Sequence, residues 1–247
     1  MIATTTALFC AHILADFAFQ SAKMAEAKAA RHGGALAQHW ALVLATLVIC
    51  TGQISWLLLG LSGVHMLIDL AKTYAPKHRL WSFTADQSAH LLSLMITALI
   101  APTLWASGLW QAELPAPVEA LLLQAGLIIG GLVFATRAGS FAVALLMQEQ
   151  TANAAASKNE AASEPGLPGG GMLIGILERG LIYLLILAGQ PAAIGYLIAA
   201  KSILRFGAVN ENRAASEYVI IGTLASFGWA IICGLGISLL RAELPMP

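Results

Sequence analysis

Charge is what this sequence has least of. Only 11% of its 247 residues are Asp, Glu, Lys or Arg, against about 25% in a soluble domain. That is too little polar surface to cover a fold in water. The deficit is balanced: Lys and Arg number 13, Asp and Glu 13, and the net charge is zero. No basic face argues for nucleic acid as a partner. The three cysteines (Cys10, Cys50 and Cys233) sit in apolar runs without CxxC spacing. They read as small buried hydrophobes and not as a disulfide framework. No GxGxxG, P-loop, GxSxG or HExxH motif is present, so none of those standard chemistries is indicated.

What replaces charge is hydrocarbon. Hydrophobic residues make up 58% of the chain and the mean hydropathy is +0.77. Apolar runs of about 18 residues or more can cross roughly 30 Å of bilayer as a helix. Such runs lie near 2–20, 35–51, 54–71, 86–106, 118–138, 171–189, 191–206 and 217–240. The expected fold is therefore all-α, a polytopic transmembrane bundle of about eight helices with membrane lipids as its surroundings. The fifth run could continue to about Met147, and the seventh is short. The first run lacks a basic leader region and carries His12 and Asp16, so it is expected as a mature helix and not as a signal peptide.

Lys and Arg placement orients the chain. Lys23, Lys28 and Arg31 follow the first helix, and Lys72, Lys77 and Arg79 follow the third. Arg137 and Lys158 follow the fifth, and Arg205 and Arg213 the seventh. With eight alternating helices these all fall on one side, expected to be cytoplasmic, and both termini fall on the other. Arg241 alone breaks the pattern. Residues 148–170 are rich in Ala, Ser, Asn, Glu, Gly and Pro and bury too little apolar surface to offset ordering. They are expected to form a disordered cytoplasmic linker. It would join a five-helix N-terminal part (1–147) to a three-helix C-terminal part (171–247).

Ionisable groups inside a span are costly and mark candidate sites. The whole chain has three aspartates, each four residues from a histidine: His12-x-x-x-Asp16, His65-x-x-x-Asp69 and Asp86-x-x-x-His90. That spacing puts both side chains on one helix face. The order reverses in the span that runs the opposite way. His12, His65 and His90, with His39 one turn into the second helix, would then form one layer. Asp16, Asp69 and Asp86 would form another about 6 Å nearer the cytoplasm. Imidazole and carboxylate suit a divalent ion of the zinc, iron or manganese kind. The aspartates would serve as ligand or general base. Alternatively, the pairs only hydrogen-bond between helices, or relay protons. Gln20 is expected to hydrogen-bond Asp16 or to face the headgroups, and Lys72 either to pair with Asp69 or to snorkel to the interface. His32 and His78 fall in basic loops.

Glu178, Arg179, Lys201, Arg205 and Glu217 form a second cluster. It is expected to make interhelical pairs such as Glu178 with Lys201 or Arg205, or to offer a pocket for an anion such as a lipid phosphate.

The stretches AHILADFAFQ, GVHMLIDLAK and DQSAHLL together resemble a bacterial family of membrane proteins catalogued as a domain of unknown function. IGILERGLIYLLIL, AIGYLIAAKSILRFG and EYVIIGTLASFGWAI resemble the C-terminal half of many of its members. The resemblance implies a bacterial inner-membrane location and supplies no activity. The spacing and topology favour a metal-dependent hydrolase acting at the cytoplasmic leaflet on a lipid or lipid-linked substrate. A transporter or channel for protons or a divalent cation is the alternative, and a structural or signalling membrane protein the third.

Overall fold

The computed structural model describes residues 1–75, 79–155, 169–205 and 213–246. Among them every regular element is helical. The helices are α1 (Ile2–Ile13), running on into a π-helical turn (Leu14–Phe19), α2 (Ala22–Ala29), α3 (Gly33–Thr51), α4 (Trp56–Lys72) and α5 (Leu80–Ile100). After these come α6 (Leu109–Glu113) and α7 (Ala116–Val133), the latter continuing through a second π-helical turn (Phe134–Ala138) into α8 (Gly139–Ala155). The last three are α9 (Gly170–Leu187), α10 (Ala193–Arg205) and α11 (Arg213–Ala242).

Among the described residues, five helices are long and apolar enough to cross a membrane: Ile2–Phe19, Gly33–Thr51, Ala116–Thr151, Gly170–Leu187 and Ser216–Ala242. Of the other expected crossings, α4 has 17 residues, α5 carries Asp86, Gln87 and His90, and the apolar part of α10 is short. Large apolar side chains such as Ile49, Leu67, Ile100, Leu224 and Ile232 face outward, which fits a membrane protein.

Three boundaries differ from the sequence expectation, one of them the end of α5, at Ile100 and not near 106. Helix α5 starts at Leu80, not Asp86, so Asp86 lies well inside a helix. Helix α8 continues through Ala155, so the first residues of the expected linker are helical. Residues 156–168 of that linker, with Lys158, lie outside the described residues, as do Lys77 and His78.

The chain divides into two compact units. One comprises Met1–Lys77, Trp81–Phe134 and Leu239–Pro247; the other comprises His78–Leu80 and Ala135–Ser238. In the first, local chemistry sets the helix ends. Ser21 Oγ and Ser55 Oγ accept from the Met24 and Leu58 amides, satisfying donors that a helix start leaves open. Gly52 ends α3 at φ 65, a left-handed cap that suits glycine. Pro117 opens α7, where a missing amide hydrogen costs nothing. Helices α1 and α7 approach closely because Gly126 and Gly130 face Cys10; a Cβ at either would lie 3.4 Å from its Sγ.

The turn after α5 is fixed by polar bonds. Thr4 Oγ1 donates to the Pro102 carbonyl at 2.9 Å and accepts from the Trp105 amide at 3.2 Å. Buried Trp105 donates its indole N–H to Glu119 Oε1 at 2.6 Å. Glu119→Ala is expected to cost about 1.5–3 kcal/mol, the range for a hydrogen bond to a charged group. A detergent melting curve with Trp105→Phe as the companion variant checks this: the two substitutions together should cost less than their sum.

Candidate metal centre

Five elements of the first unit converge on one polar cluster. His12 comes from α1, Asp16 from its π-helical turn, His39 from α3, His65 and Asp69 from α4, and Asp86 and His90 from α5. All are buried except Asp16, whose side chain is 9% exposed. Each His–Asp pair shares a helix face because four residues make about one turn. The widened turn at Leu14–Phe19 carries Asp16 at the end of α1, and the chain becomes extended at Gln20.

The imidazoles and carboxylates interleave in one cluster instead of forming separate layers. The merging comes from reach between helices: Asp69 Oδ2 of α4 lies 3.1 Å from His39 Nε2 of α3, and Asp16 Oδ1 lies 3.3 Å from His65 Nε2 of α4.

The resulting geometry is close. His39 Nε2 and His65 Nε2 are 3.2 Å apart. Asp16 Oδ1 lies 3.4 Å from the first and 3.3 Å from the second. Asp69 Oδ2 lies 3.1 Å from His39 Nε2 and 3.5 Å from His65 Nε2. Ligand atoms about 2.0–2.1 Å from a tetrahedral zinc-type ion stand about 3.3–3.4 Å apart. The two imidazole nitrogens and Asp16 Oδ1 thus outline one face of such a tetrahedron, with Asp69 Oδ2 toward the fourth corner. Asp16 Oδ1 has no hydrogen-bond partner. Three overlapping sets have ligand atoms all within 4.8 Å of one another: His12, Asp16 and His65; His39, His65 and Asp69; and Asp69, Asp86 and His90.

Two lysines neutralise the outer carboxylates. Lys28 Nζ donates to Asp69 Oδ2 at 2.7 Å and to Gln20 Oε1 at 3.0 Å. Lys72 Nζ donates to Asp86 Oδ2 at 2.5 Å. This corrects two expectations: Lys72 pairs with Asp86 and not with Asp69, and Gln20 holds Lys28 and not Asp16. Lys28 read only as a basic loop residue, because nothing in its spacing reveals that α2 folds back over the helix ends. Gln87 was also missed. Its amide donates to Asp86 Oδ2 at 3.0 Å, and its Oε1 lies 3.3 Å from His12 Nε2. A polar residue beside Asp86 in an apolar run was the available signal. His32 is exposed in its loop.

Residues 4–114 match the family described as "Protein of unknown function (DUF3307)". All seven residues of the cluster, with Lys28, Lys72 and Gln87, fall inside this matched domain, and so do the three N-terminal motifs. No curated protein and no solved structure matches the chain.

The second cluster lies beyond the DUF3307 match, in the other unit. Lys201 Nζ donates to Glu178 Oε2 at 2.6 Å. Arg179 faces elsewhere, donating to Ser226 Oγ at 2.9 Å, Ser140 Oγ at 2.5 Å and the Thr136 carbonyl at 3.2 Å. Arg205 ends α10, and Glu217 is exposed near the start of α11.

Proposed function

We propose that this chain is a multi-pass protein of the bacterial inner membrane that holds a divalent ion of the zinc, iron or manganese kind. With that ion it hydrolyses a lipid or lipid-linked substrate at the cytoplasmic leaflet. The observation that carries the reading is the triangle of His39 Nε2, His65 Nε2 and Asp16 Oδ1, whose 3.2–3.4 Å edges suit tetrahedral ligation. His39, His65 and Asp16 would hold the ion, while Asp69 Oδ2 is already bonded to Lys28 and a water would complete the shell. A divalent ion brings the pKa of bound water near neutrality. With the ion bound, Asp69 would serve as general base: it would take the water's proton as the water oxygen bonds to the substrate's acyl or phosphoryl centre, and would return it to the leaving oxygen as the old bond breaks.

The basic loops favour a cytoplasmic opening with both termini on the far side. Apolar packing disfavours a conduit. One and two turns beyond the histidines, on the same helix faces, Leu8, Val43, Leu47, Leu58, Leu61, Leu94 and Ala98 join one buried apolar core. A pathway for ions would need polar groups there.

Detergent-purified protein is expected to carry at least one ion per chain by elemental analysis. It should also release products from vesicles of bacterial polar lipids in a chelator-sensitive way, read by mass spectrometry. Asp69→Asn should keep the ion and lower the rate by about 10²–10⁴-fold. Metal-free wild-type protein, prepared where control metalloproteins keep their ions, would end this reading.

A further inference from the structure

The proposed ion accounts for His39, His65, Asp16 and Asp69 and leaves three residues of the cluster without a task. Hydrogen bonding fixes what those three present. The Gln87 amide nitrogen donates to Asp86 Oδ2 at 3.0 Å, so Gln87 Oε1 is an acceptor and His12 Nε2, 3.3 Å away, carries the hydrogen. His12 Nδ1 is then a bare lone pair. His90 Nδ1 lies 2.9 Å from the Asp86 carbonyl oxygen and must donate to it, which leaves His90 Nε2 bare as well. Lys72 and Gln87 both occupy Asp86 Oδ2, leaving Oδ1. These three atoms (His12 Nδ1, His90 Nε2 and Asp86 Oδ1) are all buried acceptors without a hydrogen-bond partner. Buried acceptors left unpaired are costly. Three on neighbouring side chains call for an electron-poor occupant.

The surroundings suit a cation. Asp69, Asp86 and His90 bring ligand atoms within 4.8 Å of one another. The His65 and His90 rings lie 4.1 Å apart, and His12 stacks on His90 at 4.9 Å. Asp69 belongs to this set and to the one containing His39 and His65, so one carboxylate borders both places. That is the arrangement of a two-metal centre, whose ions sit about 3.5–4 Å apart and clamp an oxygen between them.

We propose that the centre is dinuclear, with a second divalent first-row cation held by His90 Nε2 and Asp86 Oδ1, and with Asp69 standing between the two positions. This rests on the metal reading above. His12 stacks on His90, and its free Nδ1 lies 3.7 Å from Asp16 Oδ2, toward the first position.

Protein stripped by chelator and reloaded with Mn²⁺ in detergent tests this. Wild type is expected to bind about two ions per chain and to show the spin-coupled electron paramagnetic resonance spectrum of a Mn²⁺ pair. His90→Ala, and the conservative His90→Gln should the first fail to fold, are expected to bind about one ion with an uncoupled spectrum. One uncoupled ion in wild type, unchanged by either His90 variant, would overturn the second position and leave the first standing. No ion in wild type would remove the metal reading itself.

Discussion

His65→Ala is expected to empty the centre of metal. Its Nε2 is within 3.2–3.5 Å of His39, Asp16 and Asp69, and its ring lies 4.1 Å from that of His90. It therefore belongs to the first proposed position and lies beside the second. Loss of an outer-sphere partner alone lowers metal affinity by about 10–100-fold, so removal of this ligand should lower it by at least about 100-fold. Equilibrium dialysis against Zn²⁺ or Mn²⁺ measures the change. His32→Ala, in an exposed loop, should bind as wild type does. Equal binding by His65→Ala and His32→Ala would show that the cluster pairs only with itself. A drop in melting temperature without a change in metal content would say the same, since polar contacts between helices stabilise without needing an ion.

Gly139→Leu is the substitution expected to damage the second unit most. A Cβ at Gly139 would lie 2.6 Å from Trp229 Cδ1 and 2.9 Å from Arg179 Cδ, closer than side-chain carbons pack. Both neighbours belong to other helices, and Arg179 cannot retreat without loosening its bonds to Ser226, Ser140 and Thr136. Overpacking typically costs 1–3 kcal/mol and at times more; here the added strain and the displaced guanidinium put the expected loss at about 3 kcal/mol or above. Gly171, where a Cβ meets nothing within 4 Å, supplies the control: Gly171→Leu should be tolerated. Yield of monodisperse protein and thermal unfolding in detergent compare the two. Similar behaviour of both variants would mean that Trp229 and Arg179 have room to move.

The helices and the cluster were legible in the sequence because hydrocarbon dominates it. Apolar runs locate spans by a long-range average, which small local features do not disturb, and three aspartates each four from a histidine stand out against that background. What spacing could not convey was reach. A period of four assigns His12 and Asp16, or His65 and Asp69, to one face but not how far each side chain reaches toward the neighbouring helices. The separate imidazole and carboxylate layers expected from rise per residue therefore merge. Lys72 shows the same limit: three residues from Asp69 on its own helix, it is taken by Asp86 on the next. Lys28 depends on where a short polar helix settles, and a helix without a buried residue leaves no periodic trace of that. The end of α8 differs for another reason: Gln148, Glu149, Gln150 and the alanines that follow are soluble in composition yet good helix formers.

The apolar core behind the histidines has a consequence for supply. If the proposed ions bind, a centre stopped at its inner end would draw them and its water from a single compartment. Its occupancy would then follow the free metal of that compartment and would be insulated from whatever the opposite side contains.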